Sequence, residues 1–308
     1  MRIFFASDLH GSTRCFRKFL NAAAFYKADW LVMGGDGAGK HLVPIVQEGG
    51  RWRAGFQGVE FTAETAEEVR KLEERLADHG AYSLRTDAEF VKRLDADQTL
   101  VESTLRDLII ERAWTWVELA RERIGPSTRC LMGLGNDDFD ELGPIFNEGS
   151  MLCPPDGIAE LDGFWLGTAG WSNVTPWHTN REKPEPELAS LVASLATADP
   201  GRTIWNIHVP PYGSTLDTAP RLSDDLRIEL VGGAPDFIPV GSTAVAAGIR
   251  EFQPLLSLHG HIHESRGVVR IGSTTVVNPG SEYDQGALLG AVIRVSPGKV
   301  EQCQLVIA

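Results

Sequence analysis

Short apolar runs punctuate the chain, and each ends abruptly in glycine or polar residues. They are Arg2-Ile3-Phe4-Phe5-Ala6-Ser7, Trp30-Leu31-Val32-Met33-Gly34-Gly35, Arg129-Cys130-Leu131-Met132-Gly133, Thr203-Ile204-Trp205-Asn206-Ile207 and Leu255-Leu256-Ser257-Leu258. Runs of this length predict buried strands, and five of them predict an α/β sheet whose strand ends carry a site. Between the first two runs, Phe16, Phe19, Leu20, Ala23 and Ala24 recur at helical spacing after Ser12 and Thr13, predicting a capped amphipathic helix over Thr13–Tyr26.

The pattern changes after Asp36. Residues 40–61 alternate like a hairpin around Glu48-Gly49-Gly50, and residues 64–78 and 87–123 read as helices. The first helix carries Val69, Leu72 and Leu76; the second carries Phe90, Leu94, Val101, Leu105, Leu108 and Trp116. A continuous second helix would be ~55 Å long, more than a domain of this size needs. It is expected either to break near Asp95-Ala96-Asp97 or to project and pair with another subunit. Residues 40–126 are therefore expected to be a hairpin and helical insertion, acting as a cap or lateral extension, with a lid over the site as the alternative.

Strands return in the last third. Residues 242–253 read as a helix stopped by Pro254. Residues 268–271 and 274–277 flank the turn Gly272-Ser273, a hairpin signal, and residues 288–295 and 300–307 form another around Pro297-Gly298. No internal repeat or low-complexity segment interrupts the chain.

The residues that follow the strands carry the chemistry. Asp8 and His10 follow the first run, Asp36 the second, Asn136 the third, His208 the fourth, and His261 and His263 the fifth. A lone Asp or His in a loop is ordinarily a cap or a solvated side chain. The same context recurring five times in one chain instead describes a dinuclear metal site. Carboxylate, imidazole and amide donors suit divalent manganese, iron, cobalt or zinc, and nothing resembles a thiolate cluster. Two such ions ~3.5–4 Å apart can clamp a phosphoryl group and generate hydroxide near neutral pH. Asp36, with two oxygens to share, is the candidate bridge.

These motifs resemble the calcineurin-like metallophosphoesterases: Asp8-Leu9-His10, Gly35-Asp36, Gly135-Asn136-Asp137-Asp138, His208 and Gly260-His261-Ile262-His263, with Asn278-Pro279-Gly280-Ser281 as a tail element. Further segments, Asn173-Val174-Thr175-Pro176, His208 through Gly213 and Gly260 through Gly267, resemble the branch of Icc-related phosphoesterases. The likeness covers residues 1–40 and 127–308. It implies one domain over residues 1–308, a four-layer αββα sandwich of two mixed β-sheets. It also implies that Asp8, His10, Asp36 and His263 hold a first metal and Asp36, Asn136, His208 and His261 a second, manganese being favoured. A metal-bridging hydroxide would then attack phosphorus in line, without a covalent enzyme intermediate.

Most of the resembled family has a histidine directly after the motif asparagine, where it contacts phosphate and protonates the leaving group. Here that position is Asp137. An ordinary carboxylate would be ionised and would repel phosphate; one kept protonated by its surroundings could serve as general acid. The alternative is a turn residue facing solvent. His178, in the neighbouring Asn173-Val174-Thr175-Pro176-Trp177-His178 loop, is a second candidate for the missing proton donor. His259 is expected to point away from His261 and support the core, Asp138 to order its loop, and Tyr212 to line the cleft or pack on the scaffold.

Composition narrows the partners. The 308 residues are 43% hydrophobic and 23% charged, ample for one large α/β core. The net charge of -13, without a basic stretch, disfavours long nucleic acid, whereas a small phosphorylated molecule, including a cyclic nucleotide, can be drawn to the metals. Cys15, Cys130, Cys153 and Cys303 show no paired spacing, and no apolar run is long enough for a membrane. A strand starting at Arg2 leaves no room for a signal peptide, so a cytoplasmic enzyme is expected. The expected activity is dinuclear metal-dependent phosphodiester hydrolysis. A phosphomonoesterase and a catalytically weak metal-binding scaffold are the alternatives.

Overall fold

The computed structural model describes residues 1–149 and 151–308. Two six-stranded mixed sheets form its centre. In the first, the parallel strands Arg2–Ala6, Trp30–Met33, Arg129–Met132 and Met151–Leu152 lie side by side, and the antiparallel strands Leu289–Ser296 and Lys299–Ile307 continue the sheet beyond Arg2–Ala6. In the second, Phe164–Ala169, Thr203–Ile207, Leu256–Leu258 and Thr274–Asn278 are parallel, flanked by antiparallel Gly157–Leu161 and Gly267–Ile271.

Side-chain alternation explains why the central runs look continuously apolar: both of their faces are covered. Ile3, Phe5, Trp30, Val32 and Leu131 of the first sheet meet Leu166, Ile204, Leu256, Leu258 and Val277 of the second in one buried cluster. The opposite faces carry Phe4, Ala6, Leu31, Met33, Cys130 and Met132, which pack on Phe16, Phe19, Leu20 and Trp116 from helices. On the outside of the second sheet, Trp205, Ile207 and Val276 pack on Val192, Leu195, Val245 and Ile249. The helix Thr13–Tyr26 starts at Ser12, whose hydroxyl accepts from the Cys15 N–H at 3.2 Å, and ends at Lys27 in the left-handed region.

The middle segment departs from the sequence reading. Its strands are His41–Glu48, Arg51–Phe56 and Val59–Ala63, so the expected hairpin is a three-stranded meander with a second turn at Gln57-Gly58. A strand the pattern did not predict, Ala81–Thr86, pairs parallel with His41–Glu48 and completes a four-stranded sheet. Between them runs the helix Ala66–Asp78, opened by a capping box of Thr65 and Glu68. The long helical segment breaks where expected: Asp87 caps Ala88–Ala96 and Asp97 caps Gln98–Arg123.

The helix Gln98–Arg123 does not project. Ile109, Ala113, Trp116, Val117 and Ala120 are buried in the cluster against the first sheet, and the Trp116 ring stacks on Phe16 at 4.2 Å and 4°. Burying that indole contributes on the order of 2–3 kcal/mol. The four cysteines are unpaired. Among the described residues no helix is long and apolar enough to cross a membrane.

Candidate metal centre

All seven side chains singled out from the sequence meet in one place, at the carboxyl ends of parallel strands from both sheets. Asp8 and His10 follow Arg2–Ala6, Asp36 follows Trp30–Met33 and Asn136 follows Arg129–Met132. The second sheet supplies His208, after Thr203–Ile207, and His261 and His263, after Leu256–Leu258. Four of the seven, Asp8, His10, Asp36 and His261, have left-handed backbones, with φ of 59°, 41°, 52° and 67°. Such conformations cost about 1 kcal/mol or more each, so the packing around them holds the turns in place. Gly135 allows the closest approach: a Cβ there would lie 2.4 Å from the Asp36 backbone nitrogen and 2.2 Å from its Oδ1.

Asp8, His10 and His263 form one group of potential ligands, and Asp36, His208 and His261 another. His10 Nδ1 donates to the Ala38 carbonyl at 3.1 Å, which leaves Nε2 unprotonated and 3.0 Å from His263 Nε2. Asp8 receives the His261 backbone N–H on both oxygens, at 3.0 and 3.1 Å, while Oδ1 lies 3.6 Å from His263 Nε2. Asp36 stands between the groups. The Asp137 backbone N–H donates to its Oδ1 at 2.9 Å, and its Oδ2 lies 3.8 Å from His10 Nε2 and 3.3 Å from His208 Nε2. One oxygen, rather than two, therefore faces both groups. The other is already engaged.

His208 tests whether these donors fit a metal. Its Nδ1 donates to the Gly34 carbonyl at 3.1 Å, which points the Nε2 lone pair at Asn136 Oδ1 (3.0 Å), Asp36 Oδ2 (3.3 Å) and Asp8 Oδ1 (3.8 Å). A lone pair facing three oxygens needs positive charge between them, either a proton or a metal ion. Burial alone would lower this histidine, but the Asp36 and Asp8 carboxylates overcome it and raise the pKa to about 10. Burial lowers His10 and His261 to about 4, so both rings are neutral and available as ligands at neutral pH. Burial works against the charge of Asp8, yet hydrogen bonding and attraction from His263 and His208 hold its pKa down at about 2; Asp36 is likewise lowered, by His208 and His10.

The orientation of Asn136 is set by residues the sequence did not mark. Its Nδ2 donates to Thr179 Oγ1 at 2.8 Å and to Asp137 Oδ1 at 3.1 Å. Thr179 can only accept this bond, because its own hydroxyl proton goes to Glu182 Oε1 at 2.8 Å. Glu182 Oε1 also receives the Thr179 backbone N–H at 2.8 Å and the Thr175 hydroxyl at 2.6 Å. Asn136 Oδ1 is thereby turned toward His208 Nε2 and, at 2.7 Å, His261 Nδ1. Polar residues are common in loops, and nothing local distinguishes Thr179 or Glu182; only the fold brings them to Asn136.

Asp137 is buried rather than facing solvent. Burial, reinforced by the charge of Asp36, raises its pKa to about 7. Its Oδ2 lies 3.6 Å from His10 Nδ1, and with His10 and Asp36 it forms a third group of potential ligands, so it borders the cluster directly. Its Oδ1 is 2.7 Å from Lys40 Nζ. Asp138 orders the loops, as its turn position suggests. It receives the backbone N–H groups of Gly135 (2.8 Å), Ala38 (2.7 Å) and Gly37 (3.2 Å).

The other candidates fall outside the cluster. His178 is exposed with φ of 49°, and its loop reaches the site through Thr179 and Asn180, the latter donating to the Asp137 carbonyl at 2.9 Å. His259 is fully buried and bonded to Ser257 Oγ at 2.8 Å and the Val209 carbonyl at 2.9 Å, a core role. Tyr212 is exposed. Tyr283, unmarked by any motif, packs its ring 4.7 Å from that of His10.

No family model matches the chain. A protein of Methanocaldococcus jannaschii named as uncharacterized, MJ1162, is 28% identical over 173 residues, covering 48% of this chain and 71% of that one. A Mycobacterium tuberculosis protein named cAMP/cGMP dual specificity phosphodiesterase MT0825 is 27% identical over 176 residues, 57% of this chain. The match spans only 50% of the mycobacterial protein's length. One solved structure aligns over 98% of both chains with a TM-score of 0.58 at 16% identity; TT1561 of Thermus thermophilus aligns over 97% of this chain and 96% of its own, with 0.51 at 14%. At such identities the structural likeness speaks for the fold. Taken with the strand-end motifs and the mycobacterial relative, these likenesses relate the chain to the metallophosphoesterases.

Proposed function

We propose that the chain is a dinuclear metal-dependent phosphoesterase whose preferred substrates are small phosphodiesters, cyclic nucleotides among them. The observation that carries this reading is His208 Nε2 aimed at three oxygens, Asn136 Oδ1, Asp36 Oδ2 and Asp8 Oδ1, an arrangement that calls for positive charge between them, which a metal ion would supply. Asp8, His10, Asp36 and His263 would hold one ion and Asp36, Asn136, His208 and His261 the other, with Asp36 common to both. Two divalent ions held there, manganese favoured, would supply Lewis acidity toward a phosphoryl group and a means of activating water. The three apolar layers, between the sheets and outside each, support a four-layer αββα sandwich in a single domain, with residues 40–126 as an insertion.

The side chains around the metals divide the remaining work. Asp137, buried and carrying a raised pKa of about 7, holds a proton for the departing oxygen where the resembled family uses histidine. Thr179 and Glu182 fix Asn136, and the Ala38 and Gly34 carbonyls fix the His10 and His208 rings. The preference for diesters rests on the absent family histidine and on the mycobacterial relative, whose name is that of a cyclic-nucleotide phosphodiesterase.

The test is an assay of the purified, manganese-loaded protein on bis(p-nitrophenyl) phosphate and p-nitrophenyl phosphate. Faster hydrolysis of the diester is expected. A reversed order makes the protein a monoesterase, and manganese bound without turnover of either ester makes it a scaffold.

A further inference from the structure

We infer that Lys40 is a substrate-binding residue, a cation at the rim of the metal cluster that engages a non-bridging phosphate oxygen. This deepens the phosphoesterase reading and rests on phosphate being bound at the cluster.

Among the described residues, Lys40 is the lysine or arginine that ion-pairs with a carboxylate of the cluster, its Nζ lying 2.7 Å from Asp137 Oδ1. The partners sit at different depths. The Asp137 side chain is 4% exposed and the Lys40 side chain 55%, so the pair runs from a buried carboxylate beside the cluster out to a solvent-exposed ammonium. Its base is rigid. The Ala38 N–H donates to Asp138 at 2.7 Å, the Gly39 N–H to the Tyr82 hydroxyl at 3.1 Å, and His41 begins a strand paired with Ala81. Gly39 crosses so near the first metal loop that a Cβ there would lie 2.4 Å from the His10 carbonyl. A flexible four-carbon stem on a fixed base keeps the ammonium within one side-chain length of Asp137 and lets it turn toward a ligand, with three donors to offer.

Electrostatics gives that reach a purpose. Asp137 stands where a cationic or neutral imidazole would be expected, and a carboxylate beside a phosphate is repulsive. Lys40 cancels that charge whenever Asp137 is ionised in the free site. When a phosphate arrives, the same ammonium can donate to it without leaving the neighbourhood of Asp137. The residue comes from the start of the middle segment, outside every motif, which gives that segment a direct part in recognition.

Inorganic phosphate titrated into the manganese-loaded protein by calorimetry tests the assignment, because binding is read whether or not any ester is hydrolysed. Lys40→Gln is expected to weaken phosphate at least about 10-fold, the scale of a hydrogen bond to a charged group, with Lys40→Arg retaining most of the affinity. Manganese content is expected to stay unchanged. The loss is also expected in an Asp137→Asn background, where no charge remains for Lys40 to cancel. Unaltered phosphate affinity in Lys40→Gln overturns the inference, as do loss of manganese, disappearance of the effect in the Asp137→Asn background, or a wild type that binds no phosphate. Lys40-dependent phosphate binding without ester hydrolysis upholds this assignment and removes the phosphoesterase reading. Hydrolysis with Lys40-independent phosphate binding does the reverse.

Discussion

Thr179 Oγ1 accepts the Asn136 amide N–H at 2.8 Å, and that contact decides which end of the amide faces His208 and His261. Thr179→Val keeps the shape of the side chain and removes the acceptor, so the amide loses its main reason to present oxygen to the metal side. Manganese at the second position is expected to bind about 10–100-fold more weakly, the usual cost of losing a group that orients a ligand. Metal content after gel filtration measures it. A full complement of two ions in the variant at the same free manganese would show that Asn136 is oriented by something else.

Asp36→Asn replaces the charged Oδ2 between the two groups with a neutral amide end, while the Asp137 N–H still occupies Oδ1. Without the shared anion the two cations repel each other unscreened. The variant is expected to hold one ion rather than two and to lose hydrolysis. Activity persisting unchanged would sink the bridging assignment.

These two positions mark what the chain discloses by itself. Asp36 is legible because the strand Trp30–Met33 is buried on both faces, and a continuous apolar run ending in Gly34-Gly35-Asp36 announces a strand end. Its use of one oxygen is not legible, since that depends on Asp137, 101 residues away. The break near Asp95-Ala96-Asp97 shows in the sequence, and the structure makes Asp97 its cap, whereas the strand Ala81–Thr86 hides because its partner His41–Glu48 lies beyond a helix and its pattern is only partly buried. In the sequence only residues 173–178 stand out, as a neighbouring loop. His178 drew attention for its chemistry, yet the side chain the loop sends to Asn136 is that of Thr179.

His208 makes metal uptake a proton-releasing event. Its folded pKa is raised, to about 10, so the metal-free protein keeps this proton through neutral pH; the stability it contributes is complete below about 6.5 and is lost as pH rises through 10. A metal must displace the proton, so manganese affinity is expected to rise with pH toward 10, by roughly tenfold per unit from this group. Calorimetry at pH 8 in two buffers of different ionisation enthalpy should show about one proton released from His208, with a further contribution from His263, whose pKa is also raised. No release would mean that Nε2 does not face the metal.

Asp137→Asn separates a proton donor from a bystander. Burial persists when metals bind, but they neutralise the Asp36 charge that also raises Asp137, so the loaded enzyme's basic limb is expected at or below about 7. A general acid acts protonated, and activity should fall as pH rises through that value. The variant should lose about 100-fold in kcat on diesters with alkyl leaving groups, far less on p-nitrophenyl esters, and its basic limb should flatten. Equal losses on both ester types would assign Asp137 a role other than protonation.

Gly135→Ala attacks the geometry rather than the chemistry. The added Cβ would lie 2.4 Å from the Asp36 backbone nitrogen, and backbone cannot swing aside as a flexible side chain can. Relief requires the loop after Arg129–Met132 to separate from the loop after Trp30–Met33, which would also strain the Asp137 N–H bond to Asp36 Oδ1. Overpacking of this kind costs about 1–3 kcal/mol. The variant is expected to melt several degrees lower and to bind manganese at least tenfold more weakly, because Asp36 and Asn136 move apart together. If thermal stability falls while manganese affinity is retained, the two loops adjust without disturbing the cluster, and the contact serves packing alone.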